Sequence, residues 1–553
     1  MQRDTHYLAE NSFEAIVIGG GIHGATVFYQ LAAAGLKVCL VEKDDFGAGT
    51  SANSLKILHG GLRYLQHLNI KRMRESINSR KYYMEMAPHL ITPLPCVIPT
   101  FGLGMKGKPI MAVAMKLFDL IGWDRNKNSP ADNKVGRGRL LSKKQCLKIG
   151  PGLNPEGLTG GALWYDDLIT NTERMALSFI KAGVHCGGIA ANYVRVRKLS
   201  RIKNTINGAE VTDCISGRAF IIKADLVINA AGPWIDEIRK ESHQASTTED
   251  LAKAVNIVIN KPIFRGHGFG LEGTEEFTDK DAKLKRSKRL FFFVPWKNNT
   301  IIGTTYTYYD GKRDDLHVGE EAINEILNEV NAIYPCAALN SKDVVFSHAG
   351  LMPAHKPDKA PRNGTPQLVK HSRVIDHADL EGLQGLLTIE GVKYTTAPAI
   401  ARQVEKLLRK KKVIKNGNTP HYSFAPTPDT EKDQGRFAGF QRRYPHIEQN
   451  YGNDSRSVYS IIAQEGGAGN FIPSKQPLTK AEIIYSVREE MAVKMSDVVL
   501  RRTECGTSGC PPEAGLRQIA EIMANELNWD EENIEKEIDQ VLFHYRNRLN
   551  IEL

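Results

Sequence analysis

A single run near the start of the chain, FEAIVIGGGIHGATVFYQLAAAGLKVCLVE from Phe13 to Glu42, constrains the fold more than any other feature. An apolar strand over Ala15 to Ile18 leads into a turn carrying Gly19, Gly21 and Gly24, a helix-forming stretch follows, and a second apolar strand ends on Glu42. This is the order of a dinucleotide-binding βαβ unit. Gly19 allows the tight turn, Gly21 lets backbone approach a pyrophosphate, and Gly24 lets helix pack on strand. The free N–H groups and the dipole at the helix N-terminus favour the anion. Glu42 is placed to accept hydrogen bonds from a ribose. Glycines in a turn usually just make a turn; here strand, helix, second strand and terminal acid agree.

The next segment, Gly49 to Leu65, reads GTSANSLKILHGGLRYL. Thr50, Ser51, Ser54, Lys56 and His59 supply hydrogen-bonding groups, and the Gly60–Gly61 pair lets backbone approach a flat ring. Arg63 and Tyr64 can hold an anion. The bland alternative is a polar loop before a helix. A nucleotide unit so near the N-terminus suits an FAD enzyme.

These residues resemble the signature of the FAD-dependent glycerol-3-phosphate dehydrogenases and α-glycerophosphate oxidases, and further matches follow in family order. They are Met86 to Leu90 (MAPHL), Tyr165-Asp166-Asp167, Leu226 to Trp234 (LVINAAGPW), Val294-Pro295-Trp296, Ile301 to Thr305 (IIGTT) and Val487 to Thr503. The resemblance covers nearly the whole chain. It implies an α/β fold with a Rossmann-type FAD-binding domain interleaved with a β-sheet substrate domain, plus a C-terminal all-α cap. It also implies oxidation of sn-glycerol 3-phosphate to dihydroxyacetone phosphate, with electrons passed to a quinone or to O₂. Ala231, Gly232, Lys393 and Thr395 join the expected FAD contacts, Lys393 and the helix behind it stabilising reduced flavin. Arg63, Tyr64 and Arg265 are expected to hold the anionic end of the substrate. His267 is expected to act as base, with His59 as fallback; for each, a structural hydrogen bond is the competing reading.

The substrate side departs from the family pattern. The family's K/R-G-x-H run is here Arg265-Gly266-His267-Gly268, so His267 falls one residue early, which on a strand turns it to the other face unless a bulge intervenes. The family's G-V/L-R-P run is here Gly350-Leu351-Met352-Pro353, without the guanidinium that binds phosphate. His348, His355 or Lys356 are the available substitutes, and Tyr306 stands where an acid follows IGTT. Two alternatives therefore accompany the first reading: the same fold acting on another hydroxy or amine substrate, and a non-catalytic flavoprotein module.

The chain has 553 residues, 41% of them hydrophobic and 25% charged, enough for a large core and more than one domain. The net charge of +10 fits an anionic substrate or an anionic membrane face. Basic residues are spread out and no nucleic-acid motif is present. Eight cysteines show no metal-ligand spacing, no metal site is expected, and their scatter suits a reducing cytoplasm. The first residues lack the apolar core of a signal peptide. Ile110 to Trp123 is the most apolar run; it is too short to span a bilayer and reads as a core helix or an interfacial one. The expected layout is an oxidoreductase region over 1–415, a linker over 416–435 and a helical unit over 436–553, with helices at 436–451, 478–503, 513–526 and 530–549. Within the first, FAD-binding parts fall at about 13–100, 160–235 and 376–410, and the sheet domain at about 236–375. A helix is expected over 166–183, N-capped near Thr170-Asn171-Thr172 and ended by Gly183.

Overall fold

A computed structural model describes residues 1–62, 69–102, 107–241, 250–278, 286–355, 365–415, 417, 419, 422 and 437–552. Arg63, Tyr64, Lys356 and most of the expected linker lie outside them.

Strands are numbered in chain order: β1 Ser12–Ile18, β2 Val38–Val41, β3 Ile57–Leu58, β4 Ile91–Phe101, β5 Arg139–Ser142, β6 Leu158–Ile169, β7 Ile189–Ala191, β8 Val194–Ile202, β9 Thr205–Asp213 and β10 Ala219–Asn229. They continue as β11 Asp250–Ile259, β12 Gly268–Thr278, β13 Arg286–Trp296, β14 Asn299–Tyr309, β15 Val344–Ala354, β16 Arg373–Asp376 and β17 Leu386–Glu390. The first sheet runs β16-β17-β10-β1-β2-β7, with β8 and β9 attached to β10. Its β1, β2, β10 and β17 pair in parallel, and β1 is buried from Ala15 to Ile18, as a strand covered on both faces requires. Helices Ile22–Ala33, Thr172–His185 and Ala397–Lys410 pack beside it.

The second sheet runs β15-β11-β14-β13-β12-β4-β6-β3, with β5 paired to β6. This redraws the boundaries expected from sequence. Residues 57–58, 91–101 and 158–169, assigned to the FAD-binding parts, belong to the second sheet. The helix expected over 166–183 has its cap where expected, Asn171 accepting from the Arg174 N–H at 2.8 Å, but Tyr165 to Ile169 complete β6, so the helix itself runs Thr172–His185.

The C-terminal part is helical: Ala438–Arg443, Pro445–Tyr451, Ser455–Gln464, Lys480–Glu490, Glu513–Leu527 and Glu531–Phe543. The helix expected over 436–451 is broken at Tyr444-Pro445, the one expected over 478–503 stops at Glu490, where Met491 turns left-handed, and the helix over 455–464 is additional. Buried charges join this unit to the first sheet. Asp45, just past β2, accepts from Arg502 at 2.7 Å through both oxygens and from Arg501 Nε at 2.6 Å. Arg174 grips Glu490 at 2.9 and 3.1 Å. Burial alone would raise the Asp45 and Glu490 carboxyls. Arg502 and Arg501 overrule it at Asp45, holding it well below the usual range, and Arg174 with Lys181 lowers Glu490 to about 2.

Candidate active site

The glycine turn is built as its spacing requires. Gly19 has φ of +106°, and a Cβ on Gly24 would come within 1.9 Å of the Gly19 carbonyl oxygen. A Cβ on Gly19 would meet the Ala230 carbonyl at 2.6 Å, so the turn nests against the end of β10, next to Ala231 and Gly232. Gly232 has φ of +56°. Glu42 reaches back to the turn: one carboxylate oxygen accepts from the Gly20 N–H at 2.6 Å and the other from Asp44 N–H at 2.9 Å. Burial, then the charge of Asp44, raises Glu42 to about 7 against those two donors. The glycine cradle, the helix N-terminus and an acid at the end of β2 fit an FAD pyrophosphate and ribose.

The segment after Gly49 lies between the two sheets. Thr50 donates to the Leu351 carbonyl at 3.0 Å, which lays the loop on β15 beside Met352. Gly49 rests against Trp234, whose indole N–H donates to Asp314 at 2.8 Å. Three polar residues expected to bind cofactor have partners within the protein. The Ser51 hydroxyl accepts from the Ile22 N–H at 2.9 Å, capping the helix after the glycine turn. Ser54 accepts from the Lys56 N–H at 3.1 Å. The Lys56 side chain is buried, paired with Glu173 at 3.1 Å and Thr172 at 3.3 Å over the face of Trp296. Lys56 is thus an internal brace rather than a reaching cation.

Asp166, quoted above only as part of a motif, anchors the glycine pair. One of its oxygens accepts from the Gly60 N–H at 2.8 Å, and the other lies 3.2 Å from His59 Nδ1. Gly61 has φ of +92°. Phe118, from helix Lys108–Ile121, packs against Gly60. A pair of acids inside an otherwise apolar strand is the signal the sequence offers. Its neighbour Asp167 is fully buried on Arg80; burial raises it to about 6 although Arg80 opposes the rise.

His267 is not on a strand. It sits in the turn before β12, where Gly266 has φ of +69°, and its Nδ1 lies 3.3 Å from the Arg265 carbonyl. The one-residue offset therefore does not turn it across a sheet. Arg265 is exposed in the same turn. Gly268 packs on Leu94 and Cys96 of β4, and Leu94 is registered with Asp166, so this turn neighbours the His59–Gly60 loop.

On β15 a Cβ at Gly350 would face Thr50 and Asn53, so the alternate residues His348 and Met352 share the loop-facing side. His348 is 1% exposed, and neither ring nitrogen has a hydrogen-bond partner among the described residues. Burial, helped by the Lys56 charge, lowers it to about 3, so it is neutral and cannot replace the missing guanidinium. His355 is exposed. Thr395 is buried where the Lys393 segment enters helix Ala397–Lys410, and Thr396 donates from its hydroxyl to the Lys393 carbonyl at 3.3 Å. Among the described residues no cluster suits a metal ion, and all eight cysteines are free thiols.

Comparison with known proteins agrees with this architecture. Residues 14–407 match the model of the FAD dependent oxidoreductases, and residues 434–534 match that of the C-terminal domain of alpha-glycerophosphate oxidase. The chain is 28% identical over 556 aligned positions to a glycerol-3-phosphate dehydrogenase of Synechocystis, covering 96% of each. It is 29% identical to the human mitochondrial glycerol-3-phosphate dehydrogenase, covering 96% of this chain and 72% of that one. The glycerol-3-phosphate dehydrogenase of Bacillus halodurans complexed with FAD shares the fold at a TM-score of 0.71 and 22% identity, over 98% of this chain and 96% of that one. With its glycine cradle, its acid at the end of β2 and a family match across most of its length, the chain belongs to the FAD dependent oxidoreductases.

Proposed function

We propose that the protein oxidises sn-glycerol 3-phosphate to dihydroxyacetone phosphate and passes the electrons to a quinone at a membrane surface. The observation that carries this reading is the match, over 96% of this chain, to relatives named glycerol-3-phosphate dehydrogenase, extending through the C-terminal helical unit. FAD, when bound, supplies the hydride acceptor. The protein's part is to hold the alcohol carbon against it, take the hydroxyl proton and balance the charge. His267, or His59 held by Asp166, receives the proton. Lys393 and the N-terminus of helix Ala397–Lys410 stabilise negative charge. Arg265, with Arg63 and Tyr64, holds the phosphate.

Helix Lys108–Ile121 supports a lipid-borne acceptor. Val113, Leu120 and the following Trp123 are 59%, 69% and 80% exposed, with Ile110 and Leu117 completing an apolar ridge flanked by Lys116. The opposite side sends Phe118 against Gly60. The ridge thus adjoins the flavin-facing loop and suits the headgroup boundary of a bilayer. Among the described residues no helix is long and apolar enough to cross a membrane.

Met352 favours a second reading, the same chemistry on a substrate without phosphate, because the strand face that carries the family's guanidinium offers only neutral groups here. Anaerobic mixing of the yellow protein with glycerol 3-phosphate separates the two. Rapid bleaching of the flavin band supports the first. Bleaching only by unphosphorylated polyols, hydroxy acids or amines supports the second.

A further inference from the structure

Helices Ile22–Ala33 and Ala397–Lys410 run side by side in the same direction. The His23 ring lies against Gly391 ahead of the second helix, where an added Cβ would come within 2.3 Å of it, and further along Gln30 donates to Glu405 at 2.8 Å. The two N-termini therefore lie together, with His23 between them. The Cδ2–Nε2 edge of the ring is the one that faces this backbone, and the Lys393 backbone beside it raises the basicity of the ring, as a carbonyl accepting from Nε2–H does. The other nitrogen, Nδ1, is then a bare acceptor; it is buried and has no hydrogen-bond partner among the described residues. Burial lowers the ring to about 4 despite the Lys393 bond, which keeps that acceptor unprotonated.

The chemistry of FAD narrows the donor. The pyrophosphate, at the N-terminus of the first helix, offers only acceptors and cannot satisfy Nδ1. The ring edge that becomes negative on reduction, toward Lys393 and the second helix, is also an acceptor. The ribityl chain joins the two and carries hydroxyl donors. We infer that His23 Nδ1 accepts a hydrogen bond from a ribityl hydroxyl of FAD, so that the residue before the last glycine of the turn sets the path of the cofactor between its phosphates and its ring. The inference rests on the family's cofactor and is independent of the substrate.

Flavin fluorescence quenching, titrated on apoprotein, measures this directly. The ligands are FAD and its 2′-, 3′- and 4′-deoxyribityl analogues; the proteins are wild type, His23→Phe and His23→Asn. Wild type is expected to bind one analogue about fivefold to tenfold more weakly than FAD. His23→Phe should lose a similar factor with FAD and nothing more with that analogue. His23→Asn, which keeps an acceptor near the Nδ1 position, should stay within about twofold of wild type. Undiminished binding of all three analogues by wild type overturns the inference whether or not the variants fold. So does a His23→Phe protein that folds, by circular dichroism, and responds to the analogues as wild type does.

Discussion

Replacing Asp45 by Asn tests the joint between the C-terminal helices and the first sheet. Asp45 is fully buried and accepts from Arg501, Arg502 and the Asn192 amide. Arg501 keeps Asp497 at 2.6 Å, but Arg502 is left with the Glu490 carbonyl at 3.0 Å. Removing one partner of such a pair costs about 3–5 kcal/mol, because the stranded charge stays buried. Unfolding entropy is about 2.1 cal/mol/K per residue, so if the whole chain melts as one unit the midpoint should fall by only ~3–4 °C. If the helical unit of roughly 120 residues melts by itself, the same loss lowers its midpoint by ~12–20 °C and splits the calorimetric transition. Differential scanning calorimetry distinguishes these. The double variant Asp45→Asn/Arg502→Met, which removes both charges, should recover much of the loss. A single variant that melts within ~1 °C of wild type, or a double variant destabilised by the full sum of the two singles, refutes the argument.

Acid should weaken the same joint. Asp45 and Glu490 have folded values below their ordinary ones, so their stabilisation is present above about pH 4.5 and fades as pH falls toward 2, measurable as a falling midpoint in acid. Glu42 runs the other way: its folded value is raised to about 7, so it stabilises the apoprotein below about pH 4.5 and that gain is lost as pH rises through 7. A ribose hydroxyl needs the carboxylate, so FAD affinity of the apoprotein should rise between pH 6 and 8, roughly tenfold at most, and Glu42→Gln should flatten the curve in a fluorescence titration. Met352→Arg should lower KM for glycerol 3-phosphate by about tenfold or more if phosphate is the natural group, with no change for an unphosphorylated polyol. Leu120→Glu with Trp123→Glu should abolish sedimentation with anionic vesicles while leaving flavin bleaching by substrate intact.

Much of the nucleotide half was legible because its signals are local. The glycine turn, β1, β2 and Glu42 lie within thirty-odd residues, and each says the same thing about backbone shape. The second sheet was partly hidden. β4 contains Pro93, Pro95 and Pro99, which read as loop, yet β12 pairs with it only at Cys96 and Val97, so the proline nitrogens interrupt no ladder along most of that side. The Gly160–Gly161 pair likewise disguised β6. The partners of Asp166, which stands in a quoted motif, and of His23 are hidden in the sequence for another reason. Each matters through a partner more than a hundred residues away, Asp166 through His59 and His23 through Gly391, and no periodicity records such a meeting. The turn around His267 shows the converse error, since strand alternation was applied to a residue that precedes the strand.

The order in which the first sheet is assembled has a consequence for synthesis. β1 and β2 leave the ribosome well before their neighbours: β10 follows some two hundred residues later, β17 and the Lys393 helix well after that, and Arg502, which neutralises Asp45, 457 residues after it. At about 5–20 residues per second the glycine turn waits on the order of half a minute or more for the rest of its cradle. During that interval an apolar parallel strand pair has open edges, and the nascent chain is a client for chaperones rather than a flavoprotein. Flavin capture therefore waits for segments made long after the turn, and a chain released before Arg501 and Arg502 should emerge colourless.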